Sequence, residues 1–297
     1  MDMIRITGKT YYVKDSTNVG VYSLADNNCL LIDTCFHKNQ AKMIDQTLKK
    51  NKLQLKYIIN THAHLDHCRG NIYFQQTYRD CQVFASQGEK PFMENPYLLG
   101  AIFSSANPLQ HLDRSPSCFP VDHYLEPGSQ IIDEEPFQVI PLPGHTRGQV
   151  GIITPDRVCF LGDALFSNYT LDTYSLPYNF DIGESFKTLH SILEIDADYF
   201  VISHDAQVIT RDEIPGLVQR NQANFKKFKV QILELLKQPL TREDLVAKIT
   251  LSNNIELNLL EYHVLQTTVS AFITYLVDDQ KLISYEFAGG RLYYQTV

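Results

Sequence analysis

Residues 61–70 read Thr-His-Ala-His-Leu-Asp-His-Cys-Arg-Gly, and three imidazoles with a carboxylate packed so closely are neither surface decoration nor core. The pattern points to metal binding. The run before it, residues 55–60, is apolar and β-branched, which predicts a buried strand whose carboxyl end delivers His62 and His64 in extended chain. Side chains two apart in extended chain point the same way, so these two can chelate one ion. Asp66 and His67 then turn toward a second position, at a helix start whose orphan N–H groups suit an aspartate.

The same device recurs. A strand over residues 137–140 runs into Pro141-Leu142-Pro143-Gly144-His145-Thr146; a hairpin, residues 150–153 and 157–161, delivers Gly162-Asp163; and residues 199–203 read as a buried strand ending at His204. Polar groups gathered at one rim of a sheet are where layered α/β folds keep their sites. The collected set is His62, His64, Asp66, His67, His145, Asp163 and His204. Nitrogen with some oxygen is borderline-soft coordination, which suits zinc first, with iron or manganese as alternatives. Seven ligands exceed one tetrahedral site and match two ions if one carboxylate bridges. Two ions roughly 3.5–4 Å apart hold a water between them and bring its pKa toward about 7, giving a hydroxide nucleophile at neutral pH.

Several elements must position these groups. Short β-rich runs between residues 4 and 33, separated by turn-forming Lys14-Asp15-Ser16 and Ala25-Asp26-Asn27-Asn28, predict an antiparallel meander. Ala41, Ile44 and Leu48 predict a helix over 38–50; a helix from Gly70 to about Tyr78 and a strand over 82–85 follow. Residues 87–127 carry Pro91, Pro96, Pro108, Pro116, Pro120 and Pro127 among Phe92, Tyr97, Leu98, Leu99, Ile102, Phe103 and Phe119. Such a stretch reads either as a wall over a site or as a satellite cluster on the body. Tyr169, Tyr174 and Tyr178 lie in a loop before a helix over 186–193, and either line a pocket or pack. His37, His111, His123, His190 and His263 stand outside any motif and are read as packing or surface groups.

Beyond Asp205 the pattern becomes helical. Leu217, Asn221, Phe225, Phe228, Ile232 and Leu235 predict a helix over 215–237; Thr241 and Asp244 read as a helix cap; a helix over 259–277 and a hairpin over 282–294 close the chain. The organisation expected is a catalytic domain over 1–210 and a small helical, winged-helix-like domain over 211–297.

Composition narrows the partners. The 297 residues carry 26 Lys and Arg against 34 Asp and Glu, a formal charge of −8, which disfavours nucleic acid. From residue 241 onward four cationic side chains face seven acidic ones, a poor footprint for phosphate, so that region is expected to pack beside the site or to mediate homodimer contacts. No stretch reads as a signal peptide or a membrane span, and six scattered cysteines without a Cys-x-x-Cys pair read as free thiols; a soluble, cytoplasmic protein is expected.

Thr61-His62-Ala63-His64-Leu65-Asp66-His67, Pro143-Gly144-His145-Thr146, Phe160-Leu161-Gly162-Asp163-Ala164-Leu165-Phe166 and Ile202-Ser203-His204 resemble, in order and spacing, the motifs of the metallo-β-lactamase superfamily. The resemblance spans roughly residues 4 to 205. It implies an αββα sandwich, with His62, His64 and His145 on a first metal, Asp66, His67 and His204 on a second, Asp163 bridging them, and Asp33 orienting a ligand histidine. Asp163 stands where antibiotic-degrading members tend to carry a cysteine ligand, and the Pro-Gly-His-Thr and Leu-Gly-Asp-Ala-Leu-Phe motifs look closer to glyoxalase II and its relatives. Arg69 and Asp205 depart from the glycines frequent at those places. The resemblance therefore implies a two-zinc hydrolase of a small-molecule thioester, ester or lactone, with Asp66 holding or accepting the proton. The alternatives are a mononuclear iron persulfide-dioxygenase-like enzyme using His62, His145 and Asp163, and a nucleic-acid-processing phosphodiesterase.

Overall fold

The computed structural model describes residues 1–109, 118–205 and 207–297. Two sheets face each other. The first has the order β1 (Met3–Thr7), β2 (Thr10–Val13), β3 (Val19–Ser23), β4 (Asn28–Ile32), β5 (Gln54–Ile59), β6 (Gln82–Ser86), β7 (His123–Leu125). Its first four strands form the expected antiparallel meander, and β4 to β7 run parallel. Between them lie α1 (Lys38–Lys50), α2 (Leu65–Cys68), α3 (Asn71–Thr77), α4 (Lys90–Glu94) and α5 (Tyr97–Ser104).

The second sheet comprises β8 (Gly128–Ile132), β9 (Glu135–Pro141), β10 (Val150–Ile153), β11 (Val158–Phe160), β12 (Tyr199–Val201) and β13 (Ile209–Thr210), with α6 (Asn168–Thr173) and α7 (Ile182–Ser191) between β11 and β12. Then come α8 (Ile214–Leu235), α9 (Arg242–Ser252), α10 (Leu259–Thr274) and the hairpin β14 (Ile283–Ala288) with β15 (Arg291–Thr296). Thr241 and Asp244 form the expected cap, the Asp244 amide donating to the Thr241 hydroxyl at 3.1 Å. The last helix is shorter than its apolar pattern predicts, passing into one π turn at Tyr275–Asp279. Neither β8 nor α6 was expected from the sequence; α6 starts because the Ser167 hydroxyl caps the Thr170 amide at 3.1 Å.

Alternation along the strands builds the layers. Leu30, Ile32 and Ile59 face Phe137, Val139, Ile152 and Phe160 of the second sheet, while Cys29, Leu31 and Ile58 face Ala41, Ile44 and Leu48 of α1. On the other side, Leu142, Leu161, Phe200 and Ile202 pack with Ile182 and Leu189 of α7, and that cluster continues through Phe225 and Phe228 of α8 to Leu245, Val269 and Phe272. The product is an αββα sandwich whose outer layer on one side merges with the C-terminal helices.

Directions matter more than layers for the site. Because β4, β5 and β6 run parallel, their carboxyl ends share one rim, bearing Asp33, residues 61–67 and Glu89. In the second sheet β9 and β11 each pair antiparallel with β10, and β11 pairs parallel with β12, so the ends bearing His145, Asp163 and His204 also share a rim. Residues 110–117, including His111 and Pro116, lie outside the described residues. Among the described residues no helix is long and apolar enough to cross a membrane. All six cysteines are free thiols, five of them buried.

Candidate active site

Seven side chains converge at the two rims. Ligand-capable atoms lie within 4.8 Å of one another in three overlapping groups: His62, His64 and His145; His62, His67 and Asp163; Asp66, His67 and His204. Two glycines permit the approach. Gly144 adopts φ +133°, and a Cβ there would sit 2.7 Å from the Ser185 Cα; Gly162 adopts φ +56°, and a Cβ there would sit 2.9 Å from the Thr61 hydroxyl.

Hydrogen bonds outside the cluster fix which ring nitrogen faces in. The Asp33 carboxylate, held at φ +59° just past β4, accepts the Thr61 amide at 2.8 Å, the Thr61 hydroxyl at 2.7 Å and His67 Nδ1 at 2.9 Å. With its proton committed to Asp33, the Thr61 hydroxyl can only accept from His62 Nδ1, 3.1 Å away. The carbonyls of Tyr178 and Ser16 accept from His145 Nδ1 at 3.0 Å and His204 Nδ1 at 2.7 Å. Four imidazoles are thereby oriented from behind and turn Nε2 inward, the arrangement metal-binding histidines use. His64 differs, with Nδ1 2.9 Å from His145 Nε2.

The inward atoms lack partners. Nε2 of His62 and His67 and Oδ1 of Asp163 are buried without a hydrogen bond, while His64 presents Nδ1 rather than Nε2 to His145. Buried polar atoms are almost always satisfied, so several together aimed at one point call for a cation. Donor chemistry agrees. Burial, reinforced by neighbouring imidazoles, keeps His62 neutral and pushes His64 down to about 3; His145 is also lowered, chiefly by burial. Burial opposes charge on His204 too, yet Asp163 and Asp66 outweigh it and raise its pKa to about 11. His67 is likewise raised, burial being overcome by Asp66, Asp163 and Asp33. Burial alone would push the carboxyls of Asp66 and Asp163 up, but His67 and His204 hold both far below the usual range. The carboxylates thus draw positive charge to this point. Protons can supply it, and a divalent cation would supply it in the same place while leaving the imidazoles neutral.

Glu89 is a residue the sequence reading missed. Its buried carboxylate accepts the Ala63 amide at 2.8 Å, the Thr146 hydroxyl at 2.7 Å and the Gly148 amide at 2.9 Å, tying the loop of His62 and His64 to that of His145. The available signal was an acidic residue just after an apolar strand, the same device as elsewhere on this rim. Of the three tyrosines, Tyr169 and Tyr174 are 72 % and 56 % exposed, while Tyr178 packs its ring 5.3 Å from His64 and 5.2 Å from His145. In the 87–127 stretch, Met93 and Phe119 enter the core, whereas Leu99 and Phe103 of α5 wall a cavity above the cluster. Each of the two sequence expectations therefore holds for part of it. Arg69 lays its guanidinium over the Phe36 ring at 4.8 Å, and the Asp205 carbonyl accepts the Asn18 side-chain amide at 2.8 Å.

Residues 13–204 match the Metallo-beta-lactamase superfamily, and the chain belongs to it. Among curated proteins it is similar to hydroxyacylglutathione hydrolases: 29 % identical over 153 residues to that of Xanthomonas oryzae pv. oryzae (strain MAFF 311018), covering 52 % of this chain and 48 % of that protein. With that of Pelagibacter ubique (strain HTCC1062) the identity is 29 % over 174 residues, 56 % of this chain and 60 % of that protein. The match thus spans about half the length of these relatives. Among solved structures, a metallo-beta-lactamase family protein from Thermus thermophilus aligns with TM-score 0.74 at 16 % identity, over 99 % of this chain and 97 % of that one. A beta-lactamase domain protein from Burkholderia ambifaria aligns with TM-score 0.72 at 15 % identity, over 100 % and 94 %. At those identities the likeness is one of fold.

Proposed function

We propose that this chain is a metal-dependent hydrolase of a small-molecule thioester, ester or lactone, with His62, His64 and His145 holding one zinc ion, Asp66, His67 and His204 a second, and Asp163 between them. The observation that carries this reading is the pair of buried Nε2 atoms of His62 and His67, without hydrogen bonds and grouped with the Asp163 carboxylate, beside His64 Nδ1 and His145 Nε2. The matched relatives are named for thioester hydrolysis, which supports the choice of bond.

Bound there, the two cations would supply a water deprotonated near neutral pH and positive charge for the developing oxyanion. The chain's own residues do the rest. Asp33, Thr61 and the carbonyls of Tyr178 and Ser16 hold His67, His62, His145 and His204, respectively, in one tautomer and orientation. Asp66, partly exposed and receiving the Thr17 hydroxyl at 3.2 Å, would take the proton lost by the attacking water and return it to the departing thiolate or alkoxide. The carbon gains an oxygen, the carbon–sulfur or carbon–oxygen bond breaks, and the leaving group departs protonated. A mononuclear iron oxygenase using only His62, His145 and Asp163 would leave His64, Asp66, His67 and His204 without a task, so the hydrolase is preferred.

Elemental analysis of protein purified without added metal, together with turnover of thioesters, esters, lactones, phosphodiesters and β-lactams, tests the proposal. About two zinc ions per chain and carbonyl hydrolysis lost on chelation and restored by zinc are expected. One iron per chain with oxygen uptake, or full activity after exhaustive chelation, would overturn it.

A further inference from the structure

The cluster opens into a cavity of about 260 Å³, floored by His64, Asp66 and His145. Its walls come from two places distant in sequence, Leu99 and Phe103 of α5 and Leu260 and Val264 of α10, helices that pack against each other. Among the described residues no lysine or arginine lines it. The polar side chain that α10 contributes is His263, whose Nδ1 is buried and has no hydrogen-bond partner.

We infer that this cavity selects an uncharged, apolar acyl group of about six to eight carbons, with His263 hydrogen-bonding one polar atom of the substrate. The inference rests on the hydrolase reading above and names its substrate class. Size comes first. An apolar cavity of about 150 Å³ holds the six carbons of benzene, so 260 Å³ holds about ten heavy atoms, of which the reacting carbonyl and leaving atom take a share. Charge comes second. Glutathione thioesters, which the matched relatives are named for, carry free carboxylates; a carboxylate against the Leu99, Phe103, Leu260 and Val264 wall, away from the end where the cations would bind, would lose water without meeting a cationic side chain among the described residues. Position along the chain comes third. The family match ends at residue 204, whereas α10 starts at Leu259, so this wall lies outside the stretch that the superfamily has in common. A buried histidine nitrogen left unpaired on an otherwise apolar helix face is costly unless a ligand completes it.

The test is a series of N-acetylcysteamine thioesters with the zinc-loaded enzyme. From acetyl to about octanoyl, kcat/KM is expected to rise about threefold to fourfold per methylene. Replacing the octanoyl terminus by a carboxylate, the suberoyl thioester, lowers it at least about tenfold. Val264→Trp moves the best chain to a shorter one, Val264→Lys narrows the octanoyl-to-suberoyl ratio, and His263→Ala raises KM about threefold to tenfold. A flat chain-length profile, or octanoyl and suberoyl thioesters turned over alike, overturns the inference and leaves the hydrolase standing; an unchanged KM in His263→Ala removes that residue from it. Failure to hydrolyse any thioester, ester or lactone overturns the hydrolase instead. Calorimetry on metal-free protein then decides the cavity: tighter binding of 2-nonanone than of 8-oxononanoate supports an apolar ligand, and equal binding overturns it.

Discussion

Replacing Asp33 by asparagine keeps the shape of the side chain while removing a charge and an acceptor where three donors meet. Oδ1 accepts the Thr61 amide, and Oδ2 accepts both the Thr61 hydroxyl and His67 Nδ1. An amide has one acceptor oxygen, so whichever way it turns its NH2 faces a donor. With oxygen in the Oδ2 position the Thr61 N–H is orphaned, a cost of about 1–3 kcal/mol for a buried donor. With oxygen in the Oδ1 position, His67 can avoid the clash only by moving its proton to Nε2, which removes the lone pair facing the cluster. Either outcome weakens zinc binding, by about tenfold to a hundredfold for a group supporting a ligand from behind. Metal-free Asp33→Asn should therefore melt several degrees lower, about 2–4 °C per kcal/mol for a chain of this size. Competition with a chromogenic chelator measures the zinc affinity, and calorimetry measures the melting. Unchanged zinc affinity together with unchanged melting would refute the idea that Asp33 organises both Thr61 and His67.

Other perturbations follow from the same geometry. Glu89→Gln orphans either the Ala63 or the Gly148 amide, and urea unfolding should record a loss of about 1–3 kcal/mol. Gly144→Ala puts a methyl against the Ser185 backbone at a positive φ, so a loss of about 2 kcal/mol or more and a lower zinc affinity are expected in the same assays. Asp45 accepts the Tyr73 hydroxyl at 2.8 Å, Lys49 Nζ at 2.7 Å and the Tyr78 hydroxyl; burial alone would push its pKa up, but these partners hold it below 3.8. A carboxyl depressed in the fold contributes stability that is present above its unfolded pKa and is lost as pH falls through the folded value, so Asp45→Asn should lower stability at pH 7 and flatten the decline of melting temperature below about pH 4. Zinc at a hundredfold excess over its dissociation constant should stabilise the wild-type protein by about 2.7 kcal/mol per site, a gain that a chelator removes.

Much of the site was legible in the chain because its motifs are local. His62, His64, Asp66 and His67 sit on one strand end, and strand period and helix-start chemistry alone predict that they diverge toward two positions. His145, Asp163 and His204 each follow an apolar strand, and strands carry their own signature in residue type and alternation. The cap at Thr241 and Asp244 was visible for the same reason. Glu89 was not, because one carboxylate after one strand has no partner within reach in sequence; only the pairing of β5 with β6 sets it beside Ala63, and only the approach of the second rim brings Thr146 and Gly148. His263 looked like a packing residue, since nothing near it in the chain suggests a ligand.

The sequence by itself thus determined the chemistry available: which side chains can hold cations, that they stand at strand ends, and which family they belong to. Tertiary structure decided which nitrogen of each imidazole faces inward, which atoms are left unsatisfied, and that α5 and α10 wall an apolar cavity beside the cluster. The physical reason is range. Residue type and spacing encode interactions a few positions apart, whereas tautomers, desolvation and cavity walls depend on groups that only the packing of two sheets and their outer helices brings into contact.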